Sequence, residues 1–132
     1  MTQPHRFARL ELLYGEGGLT CLSGKSVAVF GLGGVGSYAV EALVRGGVGR
    51  LTLVDFDSVD LSNLQRQIIH NHSSIGQLKV DSAKQTLKEL NIDCNVDTVS
   101  DLLKDDELGQ LIRFHDITID ATDNFATRDL IN

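Results

Sequence analysis

Apolar residues recur along this chain in two patterns, short continuous runs and stretches with helical spacing. Runs of four or five apolar residues are typical of buried strands, whereas apolar residues three or four positions apart are typical of helices. The pattern predicts strands at residues 26–30, 51–55, 95–100 and 117–120. It predicts helices at residues 3–14, 35–45, 79–90 and 104–114, and the start of another at 125–132. The glycines within residues 15–18 are expected to break the first helix.

Strands that alternate with helices are typical of a parallel sheet with right-handed crossovers. We therefore predict an α/β, Rossmann-like fold, with a mostly parallel sheet flanked by helices and the strand order 3-2-1-4. In this order the first strand is central, and a nucleotide binds at the carboxyl ends of the strands. Sheets of this type usually continue to more strands, so residues 1–132 are interpreted as one domain, the N-terminal nucleotide-binding part of a larger fold.

Composition and net charge bear on the classes of molecule that the chain can bind. The net charge of −6 argues against a broad basic surface for nucleic acid, and the absence of Trp argues against a base-stacking platform. No apolar run is long enough to span a membrane and no signal-peptide pattern is present, so a cytoplasmic protein without membrane contact is expected.

Cys21 and Cys94 form no CxxC pair and are expected to be small buried residues. His70 and His72 lack a third metal ligand, so a metal site there is disfavoured.

A glycine-rich turn joins the first strand to the second helix, with the sequence Gly31-Leu32-Gly33-Gly34-Val35-Gly36. Glycines allow the backbone to approach a phosphate closely, and the helix N-terminus offers free N–H groups and a partial positive charge. Gly31, Gly33, Gly34 and Gly36 are therefore candidate nucleotide-binding residues. Alone, this turn indicates a nucleotide without specifying which one.

Acidic residues follow the second strand. Asp55 comes 24 positions after Gly31, where a carboxylate can accept hydrogen bonds from both ribose hydroxyls, although it can also cap a turn. Asp57 and Asp60 lie further along the same loop, where solvated or turn-forming roles are favoured. Asp57, which is the closer to Asp55, is kept among the candidate cofactor-binding residues.

Cationic and amide side chains follow in the next segment. The planar guanidinium of Arg66 suits phosphate oxygens, and this residue turns the interpretation from a redox cofactor toward ATP. Lys79 begins the next helix as a second cation, although a lysine there is more typically solvated. Asn63 could hydrogen-bond a sugar or phosphate, or hold its own turn.

The last predicted strand ends in Asp120-Ala121-Thr122-Asp123-Asn124, at the same edge of the sheet as the glycine turn. A carboxylate at this edge could hold Mg²⁺ against phosphates, because Mg²⁺ favours a few carboxylates together with phosphate oxygens and water. Asp123 or Asn124 could equally cap the following helix. Asp123 and Asn124 both remain candidates.

These residues resemble those of the bacterial ubiquitin-activating-type adenylyltransferases (ThiF/MoeB/HesA-like), which include enzymes that activate sulfur-carrier proteins in thiamine and molybdopterin synthesis. The matching segments span the chain from Arg6 onward: Arg6-Phe7-Ala8-Arg9, GLGGVGS, LTLVDFDSVDLSNLQRQIIH, IGQLKVDSA and DATDN. All of them occur in the family's order and spacing, which makes the resemblance specific.

The resemblance implies a role for each matching position. Gly34 and its neighbours line the nucleotide site, and Asp55 binds the ribose. Asn63, Arg66 and Lys79 hold the phosphates, and Asp123 ligates Mg²⁺. Arg9 matches an arginine that reaches into the active site of the partner subunit, which implies a homodimer. Arg9, Arg66, Lys79 and Asp123 are the expected catalytic residues, and ATP and Mg²⁺ the expected cofactors.

The implied reaction is attack of a ubiquitin-like sulfur carrier's C-terminal carboxylate on the α-phosphate of ATP, which gives an acyl-adenylate and pyrophosphate. The N-terminal half also resembles the branch that dehydrates threonylcarbamoyladenosine in tRNA, so tRNA is the alternative partner. The chain ends before the region in which the family places its catalytic cysteine loop and zinc-binding CxxC pairs. A non-catalytic nucleotide-binding or dimerisation fragment is a further alternative. An NAD-binding oxidoreductase shares the glycine turn and Asp55 but gives no reason for Arg66, Lys79 and Asp123 together.

Overall fold

A computed structural model of the chain describes residues 5–123 and Ile131. The described elements are, in order, α1 (Ala8–Ser23), β1 (Ser26–Phe30), α2 (Gly34–Gly46), β2 (Arg50–Val54), 3-10 turns at Leu61–Asn63 and His72–Ser74, α3 (Lys79–Leu90), β3 (Asn95–Val99), α4 (Asp105–Phe114) and β4 (Ile117–Asp120). Asn124 and most of the helix expected from residue 125 lie outside the described residues. No helix within the described part of the chain is long and apolar enough to cross a lipid bilayer.

The four strands form one parallel sheet in the order β3-β2-β1-β4, which confirms the predicted Rossmann-like topology. Val27 of β1 pairs with Leu51 of β2 on one side and with Ile117 of β4 on the other. Because all of the strands are parallel, their carboxyl ends lie at one edge of the sheet. The connections that leave this edge carry most of the candidate site residues.

The two faces of β1 pack against different helices because successive side chains of a strand point to opposite faces. Val27 and Val29 belong to the larger core cluster, together with buried residues of α2 and α3. Ala28 and Phe30 belong to a second cluster with Leu108 of α4. Burying each Val, Leu or Phe side chain stabilises the fold by about 1.5–3 kcal/mol. The sheet is therefore covered on both faces and forms a rigid base for the loops at its carboxyl edge.

The predicted break of the first helix is present at Gly15, but the second helical segment that follows it was not predicted. Gly15 has φ 75° and ψ 168°, which kinks the chain, and α1 then resumes and continues to Ser23. The second half is held by a tertiary contact, since the N–H of Gly49 donates to the carbonyl of Leu22 at 3.2 Å. Glycine tolerates this positive φ, so it breaks the regular helix here and a second helical segment follows it.

The two cysteines differ in environment. Cys94 is buried, as predicted, and burial raises the pKa of its thiol. Cys21 is exposed, so the prediction that it is buried is wrong. The reason is that α1 lies on the surface and contributes no buried residue.

Candidate functional site

A cavity of about 810 Å³ opens at the carboxyl edge of the sheet. Its walls come from the glycine turn after β1, the loop after β2, the segment that follows the first 3-10 turn, the start of α3 and the end of β4. These segments are far apart in sequence, and the parallel sheet brings them together. The cavity lies where the strand order predicts a ligand site.

The glycine turn forms one wall, where Gly31, Gly33 and Gly34 all line the cavity. Gly31 has φ +94°, a backbone conformation that favours glycine. Gly36 does not line the cavity, and a Cβ there would fall 1.8 Å from the carbonyl oxygen of Gly31. Gly36 is therefore required for close packing of the turn against α2, and its predicted place in the cofactor-binding set stays a prediction.

The N-terminus of α2 points a set of backbone amides toward this wall. The helix begins at Gly34, and no side chain caps its N-terminus or places an acid in its first turn. The first N–H groups of a helix have no intrahelical acceptor, and the helix dipole adds a partial positive charge there. This arrangement can bind an anion such as a phosphate.

Asp55 lies just beyond β2 and joins two walls of the cavity. Its Oδ2 accepts a hydrogen bond from the N–H of Leu32 at 2.7 Å, and its Oδ1 accepts one from the N–H of Asp57 at 2.8 Å. Each carboxylate oxygen has a second lone pair, so the group can still accept hydrogen bonds from hydroxyl groups of a ligand. The turn-holding and ligand-binding interpretations of Asp55 are therefore compatible.

The first 3-10 turn is held by its own side chains. Asn63 accepts a hydrogen bond from the N–H of Asp60 through its Oδ1 at 2.8 Å, and Asp60 accepts one from the N–H of Ser62 at 3.3 Å. Asp60 thus has the expected turn-forming role. Asn63 holds the turn with its oxygen and also lines the cavity, where its amide N–H₂ can donate to a ligand.

Arg66 follows this turn and lies beside Gly34, where the missing side chain of the glycine leaves space for it. A Cβ at Gly34 would be 3.5 Å from the Arg66 Cγ. The guanidinium donates through Nη1 to the carbonyl of Ser62 at 3.3 Å. Its other N–H groups are available to a ligand, so Arg66 is the cation that borders the anion-binding turn.

Lys79 is buried, so the interpretation of this residue as a solvated surface lysine is wrong. It is only 7% exposed and lies in the cavity wall as the first residue of α3. Its backbone N–H donates to the carbonyl of Asp57 at 2.9 Å, and its Nζ lies 3.9 Å from Asp57 Oδ2. A buried ammonium with one loosely held, exposed counter-ion is well suited to a polyanionic ligand.

The end of β4 forms a further wall, through Asp120, Thr122 and Asp123. Asp120 Oδ1 accepts hydrogen bonds from the Thr122 N–H at 3.0 Å and from its hydroxyl at 2.6 Å, which fixes the strand end. Asp123 is exposed at the cavity. Among the described residues no three His, Cys, Asp or Glu side chains are placed to hold a metal together. One carboxylate fits Mg²⁺ that takes its other oxygens from phosphates and water.

One predicted catalytic residue lies away from the cavity. Arg9 is exposed on α1, which contributes no residue to the cavity walls.

His70 is buried and its Nδ1 lies 2.8 Å from the Ser82 hydroxyl, whereas His72 is exposed. Burial lowers the pKa of His70 and outweighs the Leu32 carbonyl, which raises it. Lys79, which lowers this pKa, and Asp55, which raises it, have smaller effects. His70 is therefore neutral near pH 7.

Gln67 is a cavity residue that the sequence did not single out. It lines the cavity but is only 2% exposed. In the sequence it appears simply as a polar neighbour of Arg66, and no periodic pattern distinguishes it from Gln65, which is exposed. The apolar pair Ile68-Ile69 after it was the only local sign that this loop enters the core, where Ile69 is 1% exposed.

Comparison with known proteins identifies the family. A sequence model of the ThiF family matches residues 6–132. The chain belongs to the ThiF family. Among ThiF-family relatives, it is 46% identical over 115 residues to the molybdopterin-synthase adenylyltransferase of Escherichia coli, covering 87% of this chain and 46% of that protein. It is 43% identical over 123 residues to the tRNA threonylcarbamoyladenosine dehydratase of Bacillus subtilis, covering 92% of this chain and 48% of that protein.

Solved structures agree with this assignment to the ThiF family. The tRNA N6-threonylcarbamoyladenosine dehydratase of Escherichia coli superposes with a TM-score of 0.89 at 34% identity, over 96% of this chain and 53% of that one. The same enzyme solved in complex with ATP superposes with a TM-score of 0.84 at 36% identity, over 90% of this chain and 49% of that one. The chain spans about half the length of the ThiF-family relatives that it matches. The expected family and the resemblance to its dehydratase branch are confirmed.

Proposed function

We propose that this chain is the nucleotide-binding part of an ATP-dependent adenylyltransferase. The observation that carries this proposal is the gathering of Arg66, the buried Lys79, the uncapped N-terminus of α2 and Asp55 around one cavity. A redox dinucleotide site has the glycine turn and an acidic residue after the second strand, but it gives no reason for two cations at the same cavity. Structures of a ThiF-family dehydratase in complex with ATP and with AMP support a nucleotide as the ligand.

Each group then has a defined task in binding. The carboxylate of Asp55 accepts hydrogen bonds from the ribose hydroxyls, and the amides of Gly33 and Gly34 approach the phosphates. Arg66 and Lys79 neutralise phosphate charge, and Asn63 donates an N–H. Asp123 and Asn124 are proposed to act at the phosphate end of the ligand. Asp123 would hold Mg²⁺, which would supply further neutralisation of the phosphate oxygens.

The proposed reaction needs no nucleophile from the protein. An oxygen of the substrate carboxylate forms a bond to the α-phosphorus, and the bond from that phosphorus to the bridging oxygen breaks. Pyrophosphate leaves with the bonding electron pair, and the acyl-adenylate stays in the cavity. Positioning and charge neutralisation carry the catalysis, and removing the Arg66 side chain is expected to cost about 2–4 kcal/mol of transition-state stabilisation.

The proposed source of the carboxylate is the C-terminus of a ubiquitin-like sulfur-carrier protein. The identity of 46% with a molybdopterin-synthase adenylyltransferase supports it, as does the net charge of −6, which does not favour tRNA as the partner of this surface. The second candidate is a carboxylate on tRNA, favoured by the TM-score of 0.89 with the Escherichia coli dehydratase. ATP–pyrophosphate exchange that depends on the carrier supports the first candidate, and exchange that depends on tRNA supports the second.

A second copy of the chain is proposed to complete the site through Arg9. Arg9 is exposed on α1 and away from the cavity of its own chain, and Leu12, Leu13 and Tyr14 beside it are 88%, 72% and 55% exposed. Exposed apolar side chains on one helix are typical of an interface. Mixing Arg9→Ala with Lys79→Met protein should restore exchange that neither has alone, because one of the mixed sites then has both residues intact.

The first experiment is calorimetric titration of this chain with ATP and Mg²⁺, and in parallel with NAD. Binding that depends on Mg²⁺ and is lost in Arg66→Ala, but kept in the variant Arg113→Ala at an exposed position of α4, supports the proposal. Binding of NAD without binding of ATP would overturn it. Binding of ATP without exchange, in the presence of either substrate, would identify a non-catalytic nucleotide-binding fragment.

A further inference from the structure

The carboxamide of Gln67 is buried at the cavity without a partner for its oxygen. Gln67 is 2% exposed and its Oε1 makes no hydrogen bond within the described residues. Most buried polar atoms in folded proteins are hydrogen-bonded, and an unpartnered one often marks a functional site. Gln67 is also a residue of the cavity wall, so its carboxamide borders the space that a ligand would occupy.

The backbone fixes where this side chain lies. The N–H of Gln67 donates to the carbonyl of Asn63 at 2.9 Å, and its own carbonyl accepts from the N–H of His70 at 3.1 Å. Gln67 Nε2 is 3.8 Å from the position that a Cβ would take at Gly33, so the carboxamide lies against the glycine turn. Arg66 contacts the next glycine of the same turn, Gly34. Two successive residues therefore face two successive glycines.

The chemistry of the oxygen determines the kind of ligand group it can bind. A carboxamide oxygen accepts hydrogen bonds and cannot donate one. Phosphate oxygens that are ionised have no proton to give, so this oxygen requires an O–H or N–H donor. A magnesium nucleotide presents O–H donors at its ribose and at water molecules bound to the metal.

We propose that Gln67 is a ligand-binding residue whose Oε1 accepts a hydrogen bond from an O–H group of the bound magnesium nucleotide, while Arg66 binds its phosphates. This inference rests on the proposed nucleotide-binding function. It assigns to Gln67 selection for a ligand with an O–H donor at this position, a discrimination that the cations alone cannot provide. Buried polar groups discriminate strongly in this way, because a ligand without the donor leaves them unpaired.

Gln67→Met tests the inference, because methionine has a similar shape and lacks the polar atoms. Removal of an unpartnered buried oxygen should leave the melting temperature of the ligand-free protein unchanged or higher. The Kd for ATP with Mg²⁺ should rise about tenfold, the effect of one lost hydrogen bond. The matched control is Gln65→Met, an exposed glutamine two positions earlier that should change neither quantity.

Four ligand conditions identify the donor by calorimetry: ATP with Mg²⁺, ATP with a chelator, and the 2′-deoxy and 3′-deoxy nucleotides with Mg²⁺. The penalty of Gln67→Met should disappear in the condition that lacks the donor. A lower melting temperature of the ligand-free variant with an unchanged Kd would overturn the inference in favour of a structural role. An equal penalty in all four conditions would overturn it as well. If the unaltered chain binds no nucleotide, the proposed function itself fails.

Discussion

The carboxylate of Asp55 accepts a hydrogen bond from the backbone N–H of Leu32, with 2.7 Å between Oδ2 and the amide nitrogen. This bond links the loop after β2 to the glycine turn after β1. An acidic residue at this position therefore shapes the turn before any ligand arrives. The contribution of Asp55 to stability can be separated from its proposed contribution to ligand binding.

Asp55→Ala should destabilise the ligand-free protein by about 1.5–3 kcal/mol, because two backbone N–H groups lose a charged acceptor. Urea unfolding measures the change. Asp101→Ala, at an exposed position, is the control and should be close to neutral. If both variants were equally stable, the Asp55 carboxylate would have no structural role in the turn.

Gly36→Ala should destabilise the protein by ~3 kcal/mol, since the added Cβ would fall 1.8 Å from the Gly31 carbonyl oxygen and backbone would have to move. Gly46→Ala is the matched control in the same helix, where no atom lies within 4 Å of the added Cβ. That change should be neutral or stabilise by about 0.5–1 kcal/mol. Thermal unfolding of the two variants distinguishes them, and similar melting temperatures would contradict the packing argument.

Lys79→Met should weaken ATP binding by about 10- to 100-fold, the usual effect of losing a hydrogen bond to a charged group. The loss for AMP should be smaller if the ammonium contacts the outer phosphates. Ligand-free stability should not fall, because the Lys79 side chain is 9% exposed and its counter-ion is 3.9 Å away. Calorimetry with both nucleotides measures this, with exposed Lys84→Met as the control. Equal losses for ATP and AMP would exclude contact with the outer phosphates.

His70 should make stability depend on pH. Its folded pKa is lowered from 6.5, so the unfolded chain binds a proton at a pH where the folded chain does not. The resulting stability is fully present above pH 6.5 and is lost as the pH falls through the lower folded pKa. His70→Asn should flatten the change in unfolding free energy between pH 7.5 and pH 5.5, and exposed His72→Asn should retain it. An identical slope in His70→Asn would show that other groups cause it.

The sequence predicts the elements of this fold well because each is specified locally. The period of apolar residues in α3 and the continuous apolar run of β1 depend only on neighbours in the chain, and the strand order follows from general rules of α/β connections. The second helical segment of α1 could not be predicted in this way. The glycines within residues 15–18 disfavour a helix locally, and the contact between Leu22 and Gly49 that holds this segment is not local.

The buried residues of the cavity wall are harder to predict from the sequence. They are buried by contacts between segments that are far apart in the chain. Lys79 appears solvated on a helical wheel, but Ser58 forms an antiparallel bridge with Leu78, and the loop after β2 folds back over the start of α3. Val59 donates its N–H to the carbonyl of Gln77 at 2.8 Å in the same contact. This loop covers the lysine. Gln67 is buried for a similar reason, since no periodicity describes an irregular segment that passes beneath the glycine turn.

The contact between the end of β4 and the glycine turn has a consequence for ligand release. A Cβ at Gly31 would lie 2.7 Å from the Ala121 carbonyl oxygen, so the end of β4 closes directly over the turn that follows central β1. Amide hydrogens can exchange through local openings of a single element, which cost less than global unfolding. Opening of β4 alone would remove one wall of the cavity while β1, β2 and β3 remained paired. Ligand escape and amide exchange in β4 would then report the same event, and a bound ligand would slow that exchange in proportion to its occupancy.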